Sequence, residues 1–425
     1  MSTPARRLAN AEIIAVGTEM LRADRTDTNS LYLTGRLNEI GIEVLAKAVV
    51  ADRLDVLAAI VRQALDRTDL VILTGGLGPT DDDLTRAAVA SVLGRGLVEQ
   101  GHILDAIRTR FEQRGMRMPE LNRRQAQVIE GAVALANRAG TAPGMWVEHD
   151  GKVIVLLPGP PREMRPMFDD LVEGRLGARA GQERLARRTV RIVGLTESHA
   201  EERLQPMYAR WAAFTPPVAA TILAARGQIE LQLTARAREL AAADRSCQTA
   251  VDDVVAGFGI DVCSTDGREL ERVVGDLLRD RGLRVAVAES CTGGLVLSRL
   301  TDVPGSSDYV ERGVVAYSNR AKTDLLGVPA ELIDEHGAVS EPVAAAMADG
   351  ARRAAGVEMG VGITGIAGPG GGSEAKPVGT VAIAVAGPGP AAFVRTVRLP
   401  GTRHHVKLFS STLAIDALRR ALLAR

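Results

Sequence analysis

Short apolar runs alternate with amphipathic segments over the first third of the chain. Four runs have the length and apolar content of buried strands: EIIAVG, EVLAKAVV, DLVILTGG and KVIVLL. Between the first three, TNSLYLTGRLNEIG and LDVLAAIVRQALDR repeat apolar residues at helical spacing. Strands and helices that alternate in this way build a parallel sheet that helices cover on both faces. We therefore predict a doubly wound, three-layer domain over residues 1–172.

This alternation is interrupted between residues 173 and 265 and then returns. The middle segment has a strand and a helix in RTVRIVGLTESHAEERL, two strands in PVAATILAARGQIELQLTARA and a helix in AAADRSCQTAVDDVVAGFG. Residues 266–425 again combine amphipathic helices with apolar strands, among them LRVAVAE, GVVAYS, MGVGITG and VGTVAIAVAG. The predicted fold class is α/β, with two doubly wound, mostly parallel three-layer domains joined by a small α+β domain.

Composition and charge narrow the class of protein. Hydrophobic residues make up 46% and charged residues 24% of the chain, which is typical of a globular protein. The 52 basic and 52 acidic side chains cancel, so no overall positive field favours nucleic acid or a membrane surface. The three cysteines lack CxxC spacing, and no apolar run approaches the roughly 18 residues of a transmembrane helix. We expect a cytoplasmic protein whose partners are small molecules.

A glycine-rich turn follows the strand VILT, at the sheet edge where open α/β proteins bind ligands. Its glycines are Gly75, Gly76 and Gly78, and the next helix begins near Asp81, Asp82 and Asp83. Such glycines leave N–H groups for phosphate oxygens, although a tight turn before an acidic helix start is an alternative. Because three carboxylates would repel a phosphate without a cation between them, we predict a metal-assisted phosphate site, with Glu19 at the same edge.

A second candidate site begins at Ser290, in the sequence AVAESCTGGLVLSRL. Ser290 stands between a buried strand and a helix, where the N–H groups of Thr292, Gly293 and Gly294 can stabilise an oxyanion or hold a phosphate. The alternative is a serine that caps the helix and is followed by glycines needed for packing. A hydroxyl nucleophile also requires a base at the same sheet edge.

Two further strands of this domain end in candidate residues. VVAYSNRAKTDLL places Tyr317 at a strand end and Lys322 on the next helix, and a desolvated lysine can act as a general base. VGITGIAGPGGG places Thr364 at a strand end, before a glycine-rich loop that includes Gly368 and can close over a phosphate. Cys291 is an alternative nucleophile, although a single free thiol is more often a small buried residue.

Together these segments resemble the competence/damage-inducible protein A (CinA) family over essentially the whole chain. The family's N-terminal domain, itself similar to molybdopterin-binding proteins, is matched by GTEMLRADRTDTNSLYLTGRLNEIG, TGGLGPTDDDLTR, NRRQA, NRAGTAPGMW and LPGPPREM. Its C-terminal domain is matched by AESCTGG, VPGSSDYVERGVVAYSN, Lys322 and GITGIAGPGGG.

The resemblance implies a bifunctional hydrolase that recycles pyridine nucleotides. For residues 266–425 it implies a nicotinamide mononucleotide amidohydrolase that needs no cofactor. Ser290 would attack the carboxamide, Lys322 would be the base, and Tyr317 and Thr364 would assist. Arg403, in PGTRHHVK, would meet the nucleotide phosphate, although Thr402 stands where the family often has aspartate.

For residues 1–172 the resemblance implies metal-dependent hydrolysis of ADP-ribose. Asp82 and Asp83 would hold a divalent metal, and the three glycines of the turn would form the phosphate cradle. We also expect a homodimer. The alternative function is that of a non-catalytic protein that binds a nucleotide or a pterin.

Overall fold

The computed structural model describes residues 6–181, 183–225, 227–388 and 393–424. These residues form two compact units. The first comprises the chain up to Leu185 together with Arg236–Ala243, and the second comprises Ala186–Ala235 together with the chain from Asp244 onward. No helix in the described part of the chain is both long enough and apolar enough to span a bilayer.

The first unit contains eight strands and six α-helices among its described residues before β9. The strands are β1 (Asn10–Val16), β2 (Glu43–Val50), β3 (Leu70–Thr74), β4 (Leu97–Glu99), β5 (Gln127–Ile129), β6 (Val133–Leu135), β7 (Gly144–His149) and β8 (Lys152–Leu157). The helices are α1 (Thr28–Glu39), α2 (Leu54–Arg67), α3 (Thr85–Leu93), α4 (Gly101–Glu112), α5 (Pro161–Leu171) and α6 (Gly177–Arg179).

Six of these strands form one sheet, in the order β2-β1-β3-β8-β7-β6. The first four are parallel, and β7 and β6 pair antiparallel. Successive residues of β1 point to opposite faces. Ile14 packs in the core beneath α2 and α3, whereas Ile13 packs in the core beneath α1 and α5. The sheet is therefore the middle of three layers.

The second unit holds the elements from β9 to the last helix, except that the start of β9, the end of β11 and the start of α8 belong to the first unit. Its strands are β9 (Arg184–Val193), β10 (Val218–Ala225), β11 (Gln228–Ala237), β12 (Val262–Ser264), β13 (Val285–Glu289), β14 (Val310–Val315), β15 (Met359–Gly365), β16 (Thr380–Ala386) and β17 (Phe393–Arg398). Its helices are α7 (Glu197–Ala212), α8 (Leu240–Phe258), α9 (Leu270–Asp280), α10 (Leu295–Thr301), α11 (Asn319–Leu326), α12 (Ala330–His336), α13 (Glu341–Ala355) and α14 (Arg403–Leu423).

Two sheets organise this unit. One has the order β10-β11-β9-β12, and the other has the order β14-β13-β15-β16-β17. In the five-stranded sheet β14, β13 and β15 are parallel, while β16 and β17 are antiparallel. Val287 of β13 packs against α9 and α14, and Ala288 packs on the opposite face against α12 and α13. This sheet is also the middle of three layers, and the predicted α/β fold class is confirmed.

Glycines let α13 lie unusually close to β15. A Cβ atom at Gly360 would lie 2.1 Å from the carbonyl oxygen of Ala348, and one at Gly362 would lie 2.2 Å from that of Ala344. No side chain fits at such distances, so the MGVGITG pattern reflects the packing of helix on strand. The close packing fixes β15, whose carboxyl end borders the candidate site.

Candidate functional site

The ends of three neighbouring parallel strands meet at one cavity in the second unit. Ser290 directly follows β13, Tyr317 lies two residues beyond β14, and Thr364 is near the end of β15. The cavity has a volume of about 200 Å³. It is lined by Ser290, Cys291, Tyr317, Asn319, Lys322, Ala338, Val339, Thr364, Gly365, Ala367 and Arg403. The four residues predicted to be catalytic thus share one cavity.

Ser290 and Lys322 are in direct contact. The Ser290 N–H donates to the carbonyl of Ile363 at 2.9 Å, which ties the residue to β15. Lys322 lies one turn into α11, whose start is capped by Ser318 accepting the Ala321 N–H. Lys322 Nζ donates to Ser290 Oγ at 3.2 Å and to the carbonyl of Ala316 at 3.1 Å.

The environment of Lys322 favours its neutral form. The side chain is only 2% exposed, and its hydrogen-bond partners within the described chain are all neutral oxygens. Burial lowers the pKa of Lys322, since a charge loses its hydration there. A neutral amine can accept a proton from the serine hydroxyl, which is what a general base requires.

Cys291 lies beside Ser290 but is chemically less suited to attack. The thiol is buried and lines the same cavity. Burial raises the pKa of Cys291 to about 12, so the thiol keeps its proton near neutral pH. Since the thiolate is the reactive form, this environment disfavours Cys291 as the nucleophile.

Tyr317 and Arg403 form one side of the cavity mouth. Tyr317 is 60% exposed, and its hydroxyl accepts a hydrogen bond from Arg403 Nη2 at 2.9 Å. Arg403 Nη1 donates to the carbonyl of Gly368 at 2.9 Å. Gly368 has φ +80°, and a Cβ there would lie 2.5 Å from Val378 Cγ1, so its backbone requires glycine. Thr402 caps α14 by accepting the His405 N–H, the same type of contact that an aspartate makes.

Thr364 lies on the far side of the cavity. Its side chain is buried, and the hydroxyl donates to the carbonyl of Ala338 at 2.8 Å. This hydroxyl is therefore already hydrogen-bonded to the loop that precedes α13. Thr364 can still accept a hydrogen bond through its remaining lone pairs.

The turn after Ser290 differs from the prediction for Gly293 and Gly294. The Gly293 N–H donates to the carbonyl of Ser290 at 3.1 Å, and the Gly294 N–H donates to Glu289 Oε2 at 2.9 Å. These two groups are therefore not available to an oxyanion or a phosphate. The N–H groups of Cys291 and Thr292 interact with the Cys291 thiol, where as hydrogen-bond donors they only partly offset the burial that raises its pKa. The Thr292 hydroxyl is buried and has no hydrogen-bond partner within the described chain.

A second cavity, in the first unit, contains the predicted phosphate turn. It has a volume of about 370 Å³ and lies where β1, β3 and β8 end. Its lining includes the predicted residues Glu19, Gly75, Gly76, Gly78, Asp82 and Asp83. Gly75 and Gly76 have φ +99° and +63°, and a Cβ at Gly75 would lie 2.3 Å from the carbonyl oxygen of Val16. Both positions therefore require glycine.

Asp83 is occupied by the turn itself, which differs from the prediction of a free metal ligand. Its two carboxylate oxygens accept the N–H of Gly78 at 2.7 Å, the N–H of Thr80 at 2.8 Å and the Thr80 hydroxyl at 2.5 Å. The Gly78 N–H is consequently not free for a phosphate. Beneath the turn, the buried Arg86 donates to the carbonyls of Leu77 and Gly78.

The described residues do not fit the three-carboxylate metal site that the sequence predicts. Asp83 holds the turn, while Asp82 and Glu19 are exposed. No group of three or more His, Cys, Asp or Glu side chains in the described part of the chain has a spacing suited to a metal ion. A metal at this cavity stays a prediction, and we derive no step through it.

Several residues at the two cavities were not identified from the sequence. At the cavity of the first unit these are Asp52, Gln125, Thr141 and Glu163, which come from four separate segments. Near Ser290 it is Glu289, whose carboxylate accepts the N–H of Gly294 in the turn that follows Ser290. Gln125, Thr141 and Glu163 lie in the family motifs NRRQA, NRAGTAPGMW and LPGPPREM. Glu289 had a physical signal, because a charged residue that ends a fully buried strand requires polar partners.

Comparison with known proteins assigns the chain to a family. Residues 267–422 match the CinA C-terminal domain, residues 12–178 the probable molybdopterin binding domain, and residues 187–262 the damage-inducible protein CinA KH domain. A CinA-like protein of Koribacter versatilis is 45% identical over 97% of this chain and 100% of its own length.

Two further relatives cover different shares of the chain. A putative competence-damage inducible protein of Symbiobacterium thermophilum is 45% identical over 97% of this chain and 99% of its own length. The crystal structure of a competence/damage inducible protein from Agrobacterium tumefaciens is 41% identical, covers 36% of this chain and 93% of that protein, and has a TM-score of 0.35. The full-length matches show that the chain belongs to the CinA family.

Proposed function

We propose that the second unit hydrolyses the carboxamide of nicotinamide mononucleotide to nicotinic acid mononucleotide and ammonia. The observation that carries this proposal is the 3.2 Å contact between Lys322 Nζ and Ser290 Oγ inside a buried cavity. A serine hydroxyl is a weak nucleophile until a base takes its proton. Lys322, whose partners within the described residues are neutral oxygens, is held against that hydroxyl and supplies such a base. Pure binding of a nucleotide would not require this pair.

The reaction proceeds in two stages. Ser290 Oγ loses its proton to Lys322 Nζ and forms a bond to the carboxamide carbon. The tetrahedral intermediate then expels ammonia, whose nitrogen takes a proton from Lys322, and an ester to Ser290 is left. Water attacks this ester, again with Lys322 as base, and releases the nicotinate and the free serine.

The oxyanion of the intermediate needs donors on the opposite side from Lys322. The N–H groups of Cys291 and Thr292 suit this role, because those of Gly293 and Gly294 are already used within the turn. A donor of this kind contributes about 3 kcal/mol to the stability of the transition state.

The cavity mouth suits a nucleotide that enters ring first. A volume of about 200 Å³ is below the roughly 300–1,000 Å³ of pockets that enclose a whole drug-sized ligand. Only the nicotinamide end would enter, and the ribose and phosphate would stay at the rim. Arg403 at that rim offers a charged donor for the phosphate, once its bond to the exposed Tyr317 opens.

The test is turnover of nicotinamide mononucleotide by the purified chain, followed by chromatography of nicotinic acid mononucleotide and by ammonia release. Replacing Ser290 with alanine should lower the rate by at least about a thousandfold, because the nucleophile is lost. Cys291→Ala is the matched control. It changes the neighbouring cavity-lining side chain and should keep most of the activity.

Two outcomes would contradict the proposal. Activity of Ser290→Ala close to that of the wild type would remove Ser290 from the mechanism, and loss of activity in Cys291→Ala alone would make the thiol the nucleophile. Tight nucleotide binding by calorimetry without turnover would favour the alternative, a non-catalytic protein that binds nucleotides or pterins.

For the first unit we propose hydrolysis of the pyrophosphate bond of ADP-ribose to AMP and ribose 5-phosphate. The supporting observation is the glycine turn at Gly75 and Gly76, which opens into a cavity at the carboxyl ends of parallel strands. Five carboxylates also line that cavity, at Glu19, Asp52, Asp82, Asp83 and Glu163. Their charge would repel a pyrophosphate unless a cation accompanied it, so the activity should depend on a divalent metal.

This second proposal predicts that ADP-ribose is hydrolysed in the presence of Mg²⁺ or Mn²⁺ and that a chelator abolishes the reaction. Asp82→Asn should lower the rate, because it removes a carboxylate charge from the cavity while the contacts of Asp83 to Gly78 and Thr80 are kept. Ser290→Ala should leave this rate unchanged and is the control. Hydrolysis that is unaffected by the chelator would contradict the proposal.

A further inference from the structure

We infer that Glu289 is a positioning residue that sets the geometry of both Ser290 and Lys322. The inference rests on the proposed function of the second unit, since it gives Glu289 a part in activating that nucleophile. Glu289 is not among the described residues that line the cavity, and its side chain is buried. It therefore acts through its neighbours.

The Glu289 carboxylate closes the turn that carries the nucleophile. The side chain is 1% exposed. One oxygen accepts the N–H groups of Gly294 at 2.9 Å and Val296 at 3.1 Å, and the other accepts that of Leu297 at 2.8 Å. These are the unpaired donors at the start of α10, which would otherwise require water or an anion. The Glu289 carboxylate thus satisfies these N–H donors at the start of the helix.

The Glu289 backbone connects the same residue to the base. Its carbonyl accepts the N–H of Ala316 at 2.8 Å. The Ala316 carbonyl in turn accepts Lys322 Nζ at 3.1 Å. Glu289 therefore lies next to Ser290 in the chain and two hydrogen bonds away from Lys322.

Both ends of the Ser290 turn depend on these contacts. Before the turn, the Ser290 N–H is held by Ile363 of β15, and after it Gly294 is held by the Glu289 carboxylate. Without that carboxylate, Gly294 and α10 lose their anchor to the end of β13, and the Ser290 side chain is no longer held against Lys322. A displacement of about 1 Å at a reacting group can cost about a hundredfold in rate.

The test measures the reactivity of Ser290 directly, so that it does not depend on nicotinamide mononucleotide being the substrate. A fluorophosphonate reacts with an activated serine, whose Oγ bonds to phosphorus as fluoride leaves, and mass spectrometry identifies the labelled residue. Glu289→Gln should be labelled at Ser290 at least about tenfold more slowly than the wild type. In the turnover assay the same variant should lose kcat and keep its KM.

The matched control is Asp416→Asn. Asp416 is another buried carboxylate of the second unit, and it holds Arg419 and Arg420 on α14 rather than the nucleophile turn. In this variant the fluorophosphonate should label Ser290 at the wild-type rate, even if the unfolding temperature of the variant is lower. Glu289→Asp is a second variant, which keeps the negative charge on a side chain that is one methylene shorter. Ser290 of this variant should be labelled at a rate between those of the wild type and Glu289→Gln.

Labelling of Glu289→Gln at the wild-type rate would overturn the inference, as would equal slowing in Asp416→Asn, which would indicate a general loss of stability. A different result would contradict the proposed function without contradicting this inference. If the wild type labels at Ser290 in a Glu289-dependent way but does not turn over nicotinamide mononucleotide, the positioning role stands and the substrate is wrong.

Discussion

Lys322 illustrates at the scale of one residue how burial prepares a side chain for chemistry. The ammonium form would need hydration that a 2% exposed side chain cannot obtain, so its pKa is lowered. The unfolded chain has no such restriction, and there the lysine titrates near 10.5. Between the lowered value and 10.5, the unfolded chain binds more protons than the folded chain.

This difference predicts that Lys322 makes the fold less stable at lower pH. In the window between the two pKa values, the free energy of unfolding should rise with pH. The test is urea unfolding of the wild type and of Lys322→Met, each at about pH 7 and about pH 9.5. The difference in unfolding free energy between the two proteins at each pH isolates the contribution of Lys322, because the other titrating groups are common to both. The wild type should gain stability relative to the variant at the higher pH, and a pH-independent difference would contradict the lowered pKa.

The same residue predicts the pH profile of the proposed deamidation. The rate should rise with pH as Lys322 loses its proton, with a midpoint below 10.5. Lys322→Arg is the conservative comparison, because arginine keeps its proton in proteins and cannot act as a base. It should be inactive over the whole pH range.

Single residues also show how far the sequence can identify a site. Ser290 and Lys322 were predictable together, because each follows the end of an apolar strand and parallel strands place such ends at one sheet edge. The roles of Asp83 and Gly294 were not predictable. A carboxylate near a glycine turn can bind a metal or the turn itself, and that choice depends on distances of a few tenths of an ångström between atoms.

At the scale of elements, the sequence predicted the long buried strands but missed β4, β5, β6, β7 and β12, and it did not predict every strand direction. The amino-acid sequence of β16 is as apolar as that of the parallel strand β13, and both strands are buried at every position. β16 is antiparallel to β15 nevertheless. The connection from Gly365 to Thr380 contains no helix, whereas parallel neighbours require a long crossover. The length and composition of this loop would have been a better guide to direction than the strand.

The edge strands of the five-stranded sheet differ from its central strands in how deeply they are buried. β14 and β17 lie at the two edges of the five-stranded sheet, and every residue of both strands is half-buried or exposed. β13, by contrast, is buried at every position because it has a strand on each side and a helix layer on each face. The strand that leads to Ser290 is therefore held by neighbours on both sides and on both faces.

At the scale of the whole molecule, each of the two units has a polar cavity at one edge of a sheet. Both cavities lie at the carboxyl ends of parallel strands, and both use glycines with positive φ in the turn that follows. Their linings differ, since carboxylates dominate the first and a serine–lysine pair the second. The common architecture is compatible with the two proposed hydrolytic reactions, and the chemistry proposed for each depends on its turn residues.

The match of residues 187–262 to a KH domain raises the question of nucleic acid binding, because many KH domains clamp the nucleotide backbone with a Gly-x-x-Gly loop. The glycines of this segment are Gly194, Gly227, Gly257 and Gly259, and no two of them are three positions apart. The turn from β9 into α7 runs from Gly194 to Glu197, so a carboxylate stands where the second glycine would be. The net charge of zero adds no general attraction to phosphates.

We therefore predict that the chain does not bind single-stranded DNA or RNA at physiological salt. The anisotropy of a fluorescent oligonucleotide should stay unchanged up to about 10 µM protein, even at about 50 mM salt, where nonspecific electrostatic binding is strongest. A saturating rise in anisotropy that weakens with added salt would contradict this prediction, because that dependence is produced by the release of counterions from phosphates. It would also mean that a local basic surface outweighs the neutral overall charge.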